Sequence, residues 1–364
     1  MHPTILEINT DNLVKNIAFF KSKLHQKTKI VAVVKAFAYG SDAVLISKIL
    51  QKNNIDYLAV AYTKEGIPLR KNNIILPIIV LHAQIENYKK IIKHSLEPNI
   101  YSLNGLKKFI QIAKKKNLKK YPIHLKFNTG LNRLGFVKED ISDILKLVKN
   151  NPNISIKSIF SHLAASEDSA EKEFTIKQIH LFESIKNSFT KALKNKPNYH
   201  ILNTSGILNY TKYQMDMVRI GIGMFGFANE SKFTEKLKNV LTLKTKISQI
   251  HTINKGESLG YNRAFIATKK TKTATLPIGH ADGISRVLGN KNSFVYINHK
   301  KAFIIGNVCM DMIMVDVTNI TCKEGDEVII FDSQKDILRI SNELNTIPYE
   351  FLTMLSQRIA RKIQ

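Results

Sequence analysis

Cysteine is nearly missing from this chain of 364 residues; only Cys309 and Cys322 occur. That excludes a disulfide framework and fits a cytoplasmic protein. Long apolar runs are missing too. The longest, Ile74 to Leu81, is far too short to span a bilayer. The first residues, Met1-His2-Pro3-Thr4-Ile5-Leu6-Glu7, lack a signal-peptide core. No membrane role is expected. Acidic residues are scarce, 29 against 55 basic ones, for a net charge of +26. The lysines are scattered through every helix-like segment, and Lys114-Lys115-Lys116 and Lys269-Lys270 read as solvated faces. A nucleic-acid partner would need them gathered in one stripe, so none is expected. Arginine is rare against this lysine background. A surviving arginine is flagged for its planar fork, which marks Arg133 and Arg219 beside strand-like runs.

The apolar fraction, 44%, suits a protein with a real core. The length suits one large domain and a smaller one. Strand-like runs fall at 30–36, 56–62, 77–82, 98–102, 122–128, 155–162, 199–204 and 216–222. Helical patterns separate them at 11–24, 41–52, 84–95, 104–117, 138–149 and 171–194. In the first, Leu13, Ile17, Phe20 and Leu24 share a face and Asp11 is a candidate cap. Eight strands alternating with helices predict an α/β fold, an N-terminal (β/α)8 TIM-type barrel over 9–230. A doubly wound open sheet competes, but no Gly-x-Gly-x-x-Gly loop follows the first strand. Residues 231–364, with an N-terminal strand at 1–8, read as a mostly-β C-terminal domain. Its short runs are rich in Val, Ile and Thr, and it closes with helical patterns near 336–345 and 349–362.

One lysine stands out. The buried-strand run Ile30-Val31-Ala32-Val33-Val34 ends in Lys35, with Ala36-Phe37-Ala38-Tyr39-Gly40 following. Desolvation there drives an amine toward its neutral, nucleophilic form. From the strand alone, a lysine snorkelling from the rim to water is an equal reading. Barrel enzymes carry their chemistry at strand C-termini. Reading those ends adds Tyr39, Lys126, Asn128, Arg133, His162, Asn203-Thr204-Ser205, Arg219 and Gly221-Ile222-Gly223. The set holds a lysine, hydroxyl and amide donors, two arginines and no acidic cluster. It suits an anionic aldehyde cofactor held through an imine to Lys35, which pyridoxal 5'-phosphate satisfies. The missing carboxylates argue against a catalytic metal.

Val33-Val34-Lys35-Ala36-Phe37-Ala38-Tyr39-Gly40 resembles the cofactor-attachment motif of alanine racemases. So do Leu125-Lys126-Phe127-Asn128-Thr129-Gly130-Leu131-Asn132-Arg133-Leu134-Gly135, Phe160-Ser161-His162-Leu163-Ala164, Asn203-Thr204-Ser205 and Met217-Val218-Arg219-Ile220-Gly221-Ile222-Gly223. Gly260-Tyr261, Ile278-Gly279-His280-Ala281-Asp282-Gly283, Val308-Cys309-Met310-Asp311 and Pro348-Tyr349-Glu350 continue the match nearly end to end.

The resemblance implies a pyridoxal-phosphate-dependent isomerase that interconverts L- and D-alanine with two bases and supplies D-alanine for peptidoglycan. It implies that Lys35 carries the cofactor and is one base. Tyr261 is the other, given by the second subunit of a homodimer; without the resemblance it is a loop tyrosine. Arg219 would meet the pyridine nitrogen. His162 would lie against the ring; otherwise it reads as a core histidine. Tyr39, Thr204, the backbone of Gly221 and Ile222, and Tyr349 would hold the phosphate, with Asn203 supporting them. Arg133 and Met310 would meet the substrate, and Lys126 matches a carbamylated lysine. Several positions depart from the pattern. Phe37 replaces a frequent asparagine, Ser41 a histidine, Asn132 a glycine, Thr204 a serine, Ile220 a proline, and His280 a tyrosine at the substrate entrance. A broad-spectrum amino-acid racemase, a decarboxylase and a non-catalytic cofactor-binding barrel are the competing readings. Decarboxylases of this fold place an acid where Arg219 stands, and non-catalytic barrels lack the β domain and its second base.

Overall fold

The structure, a computed structural model, describes residues 3–364. Eight strands form one parallel sheet: β2 (Lys29–Val33), β3 (Tyr57–Val60), β4 (Ile78–Val80), β5 (Glu97–Ile100), β6 (Tyr121–Lys126), β7 (Ile154–Phe160), β8 (Asn198–His200) and β9 (Met217–Ile220). Each run expected from the sequence holds a strand that begins within a residue of the run's start and ends two to four residues before its end. β2 pairs with both β3 and β9, so the sheet curls back on itself. The seam between β8 and β9 is bridged by Arg219 N–H donating to the Leu202 carbonyl (3.0 Å) and Tyr199 N–H to Asp216 (2.8 Å). This is a near-closed barrel rather than an open doubly wound sheet. Val31, Ala32, Leu58, Ala59, Val60 and Ile79 are buried, as expected for strands sandwiched between a barrel interior and a helical layer.

A second, nine-stranded sheet builds the mostly-β domain. The N-terminal strand β1 (Ile5–Ile8) belongs to it, antiparallel to Leu241–Lys246 and parallel to Ala360–Ile363. The expected helix over 349–362 therefore stops early. It covers Pro348–Met354, and the chain end becomes a strand because β1 offers a free edge. The first helix, Thr10–Lys21, is capped by Asn9, whose side chain accepts from Asn12 N–H at 2.8 Å, and not by Asp11, which sits in the first turn. The sequence reading also passed over the helix Thr63–Lys71, because Gly66 and Pro68 hide its period. No helix among the described residues is long and apolar enough to cross a membrane.

The largest local departure follows β2. The strand expected to run to residue 36 ends at Val33, and Ala36, Phe37, Ala38 and Tyr39 all take positive φ, 51°, 55°, 53° and 57°. Four L-residues in a left-handed turn cost roughly 1–2 kcal/mol each. Asparagine tolerates this conformation better than phenylalanine. Phe37 is largely exposed, so Phe37→Asn is expected to raise stability by about 1 kcal/mol, read from thermal unfolding. The same logic explains Asn132, which sits at φ 55° where a glycine is common.

Candidate active site

A cavity of about 490 Å³ opens at the C-terminal ends of the barrel strands. Lys35, Tyr39, Lys126, Arg133, His162, Asn203, Thr204, Arg219, Gly221, Ile222 and Tyr349 all line it. No aspartate or glutamate does. Two residues flagged from the sequence do not reach it: Tyr261, 71% exposed, and Met310, 59% exposed. They sit on the β domain, where Asn307 donates to the Tyr261 carbonyl at 3.1 Å. His280 is exposed and outside the cavity as well.

The left-handed turn after β2 presents Lys35. Its surface is open to the cavity, yet protein surrounds it on the other sides. That enclosure lowers the amine's pKa, helped by Arg133 and opposed by Glu65. Glu65 holds the turn in place. One carboxylate oxygen accepts from Ala36 N–H (2.9 Å), and the other accepts from Ala61 (2.7 Å) and Tyr62 (3.2 Å) N–H. The exit is held from the far end of the chain: Arg361 donates to the carbonyls of Gly40 (2.8 Å) and Ser41 (3.2 Å). Gly40 (φ 81°) passes so close to the Leu352 carbonyl that a Cβ would collide with it. The sequence reading missed Glu65 because its helix was missed. Glu65→Gln leaves an amide N–H₂ facing an N–H donor. It should cost about 1–3 kcal/mol of stability and slow the reaction of the Lys35 amine with an aldehyde, because the turn positions it. Unchanged unfolding and kinetics would show that the turn holds without it.

Across the cavity, Arg219 is 5% exposed. Burial lowers its pKa to about 9, which leaves it cationic at neutral pH. Its Nη2 donates to the carbonyls of Ser161 (2.8 Å) and Ile201 (3.0 Å) and to His162 Nδ1 (3.0 Å); Nη1 donates to His200 Nδ1 (2.7 Å). An arginine only donates, so both histidines accept at Nδ1 and carry their proton on Nε2. Burial, then the Arg219 charge, pushes both well below the usual histidine pKa, so both are neutral. Lys126 is buried, and desolvation followed by Arg133, Arg219 and Lys35 brings its pKa down to about 8. Arg133 makes no hydrogen bond or ion pair among the described residues, so its fork is free. Asn128 shapes its loop, accepting from Gly130 (3.1 Å) and Asn132 (2.9 Å) N–H.

At one end the donors converge on a small volume. A Cβ on Gly221 would collide with Tyr39 Oη, and Gly221 N–H donates to Thr204 Oγ1 at 3.2 Å. Asn203 caps the short helix that begins at Thr204, accepting from Gly206 N–H at 2.9 Å. The Tyr349 ring lies 6.0 Å from that of Tyr39. Hydroxyls, glycine backbone and uncompensated cations fit an anionic group there, with a neutralisable amine within the same cavity. This donor set fits pyridoxal phosphate.

Residues 8–229 match the alanine racemase N-terminal domain and residues 240–363 the alanine racemase C-terminal domain. The chain belongs to the alanine racemase family. Its members are pyridoxal-phosphate-dependent isomerases. It is 37% identical to the alanine racemase of Clostridium tetani over 99% of this chain and 95% of that protein. It superposes on the alanine racemase of Clostridium difficile 630 with a TM-score of 0.94 at 36% identity, covering 100% of this chain and 96% of that one. The alanine racemase of Bartonella henselae, determined with covalently bound pyridoxal phosphate, gives 0.88 at 29% identity over 100% and 99%.

Proposed function

We propose that this protein is a cytoplasmic alanine racemase that works as a homodimer and provides D-alanine for peptidoglycan. The observation that carries this reading is a lysine amine and a buried arginine facing one cavity that holds no carboxylate. Lys35 attaches the cofactor. Tyr39, Thr204, Tyr349 and the backbone of Gly221 and Ile222 hold its phosphate, with Asn203 bracing Thr204. Arg219 faces the ring nitrogen and His162 the ring. Bound there, pyridoxal phosphate supplies an electron sink that acidifies the alpha hydrogen of the attached amino acid.

Lys35 Nζ then holds or gives a proton on one face. The other face needs a second base. Tyr261 of a second copy supplies that base, with Met310 beside it. Their exposure supports this, as does the exposed apolar company of Ile266, Val287 and Met312 on the same domain. Arg133 takes the substrate carboxylate in its free fork. The test is a D/L assay of cofactor-loaded protein with alanine, serine and lysine. Conversion of alanine well above the others supports the reading; equal rates would make it a broad-spectrum racemase, and no conversion would overturn it.

Lys126 carries a carbamate in this reading. Its amine, neutral above about pH 8, lies among Arg133, Arg219 and Lys35, with no carboxylate lining the cavity. The nitrogen attacks carbon dioxide and loses a proton, which leaves one negative charge beside Arg133. Protein equilibrated with ¹³C-bicarbonate should show a carbamate carbon resonance that Lys126→Ala lacks.

A further inference from the structure

The interior of a closed barrel is normally filled with branched apolar side chains. This one instead carries a fully buried file of polar residues below the cavity: His200 at the end of β8, Ser158 in β7 and His124 in β6. The file ends at Glu97, the first residue of β5, at the opposite, N-terminal end of the strands, where its side chain is 13% exposed. Buried polar groups cost free energy unless each is satisfied. Here each is. Arg219 Nη1 lies 2.7 Å from His200 Nδ1, and His200 Nε2 3.0 Å from Ser158 Oγ. Ser158 Oγ lies 2.6 Å from His124 Nδ1, and His124 Nε2 2.7 Å from a Glu97 oxygen.

Only one arrangement of protons satisfies the whole file. Arg219 has no lone pair, so His200 accepts at Nδ1 and its proton is on Nε2. That proton goes to Ser158 Oγ. The Ser158 hydroxyl proton has no other acceptor among the described residues, so it goes to His124 Nδ1. His124 is then neutral, with its own proton on Nε2 pointing at Glu97. The alternative, a His124 imidazolium donating to Ser158, leaves the buried hydroxyl proton without an acceptor. The direction of donation is therefore uniform: Arg219 to His200 to Ser158 to His124 to Glu97. A cation stands at one end and a carboxylate at the other, where Arg70 outside the file also feels the Glu97 charge, and the neutral links between them polarise one another in the same sense.

We propose that Glu97, at the far end of the barrel interior, is the counter-charge of Arg219, delivered through His200, Ser158 and His124 in fixed tautomers. No acidic side chain touches Arg219 directly, and none lines the cavity. A carboxylate in contact with it would form a closed pair and withdraw the guanidinium from the cavity. Neutral links keep the negative charge distant while making His200 Nδ1 a stronger acceptor, which holds the guanidinium in position. Phe160 closes the side of the file, stacked on His200 at 4.8 Å with the Arg219 guanidinium 5.3 Å from its ring. Glu97, His124, Ser158 and His200 are positioning residues. Their effect on turnover rests on the proposed racemase activity; their proton arrangement does not.

The experiment is ¹⁵N NMR of the cofactor-loaded protein labelled at histidine, with His124 and His200 assigned by single substitution. Both rings are expected neutral at pH 7, protonated at Nε2 and accepting at Nδ1. An imidazolium at His124, or an Nδ1–H tautomer at His200, overturns the relay whether or not the protein racemises anything. Glu97→Gln keeps the shape and removes the charge. It should move the His200 Nδ1 resonance and lower kcat about three- to tenfold with KM and the unfolding midpoint little changed, the size expected of a charge acting through polarised links. An unmoved resonance with unchanged kcat shows that Glu97 is not the counter-charge. Ser158→Ala, which deletes one buried oxygen, cuts the file at its middle. It should shift the His200 resonances, because the Nε2 proton loses its acceptor. Unmoved His200 resonances in this variant contradict the assignment as well.

Discussion

Lys35→Ala is expected to abolish covalent cofactor attachment and to lower racemisation by about 10³-fold or more, since one group carries both the linkage and one proton transfer. Two amines line the cavity, Lys35 and Lys126. They differ in access. Lys126 is 7% exposed and boxed in by Arg133 and Arg219, whereas the Lys35 head is open to the cavity. An aldehyde can approach only the second. Burial lowers the pKa of both amines, that of Lys126 to about 8, so geometry rather than basicity selects Lys35. Borohydride reduction of loaded protein followed by peptide mass spectrometry should label Lys35 and not Lys126. The Lys35→Ala protein should lose the visible absorption band of the loaded enzyme. Racemisation at the wild-type rate by this variant would disprove the assignment.

The second large effect concerns Tyr261. Tyr261→Phe alone should remove most activity, and mixing it with Lys35→Ala should bring activity back. If the site is built from two chains, a mixed dimer has one site carrying both changes and one carrying neither. Random exchange makes about half of the dimers mixed, so roughly a quarter of wild-type activity should return if the two sites work independently. The structure motivates this because Tyr261 is exposed on the β domain and absent from the cavity that holds Lys35. A neutral tyrosine is a poor base at pH 7. The proposed partner on the barrel side is His162, which Arg219 holds in the neutral Nε2–H form, able to donate to a phenol oxygen. No recovery, with subunit exchange verified by native mass spectrometry, would place both bases in one chain.

Much of this was legible along the chain. The alternation of short apolar runs and period-3.6 patterns from residue 30 to 222 reports which segments are buried, and eight such strands with no glycine-rich loop after the first favour a barrel over an open sheet. Lys35 at the end of a buried run, and hydroxyls, amides and arginines at later strand ends, are local signals. They point to one cavity because parallel strands all end on the same side.

Signals that depend on contacts between distant residues were not legible. Ala-Phe-Ala-Tyr has nothing to announce four positive φ angles. The turn is imposed by Glu65 from one helix and by Arg361 and Leu352 from the chain end. Likewise Ala360–Ile363 is a strand only because β1 lies beside it. Glu97, His124, Ser158, His200 and Arg219 share no spacing that a periodicity could reveal. They meet because neighbouring strands carry them at successive levels, and a hydrogen bond is decided by position to within tenths of an ångström. Sequence alone determined the barrel, its site-bearing rim and the kind of chemistry the rim can hold, because burial pattern and strand polarity are local properties. The handedness of the turn that aims Lys35 and the proton order beneath Arg219 belong to the tertiary structure, since each is set by groups far apart in the chain that only the closed fold makes neighbours.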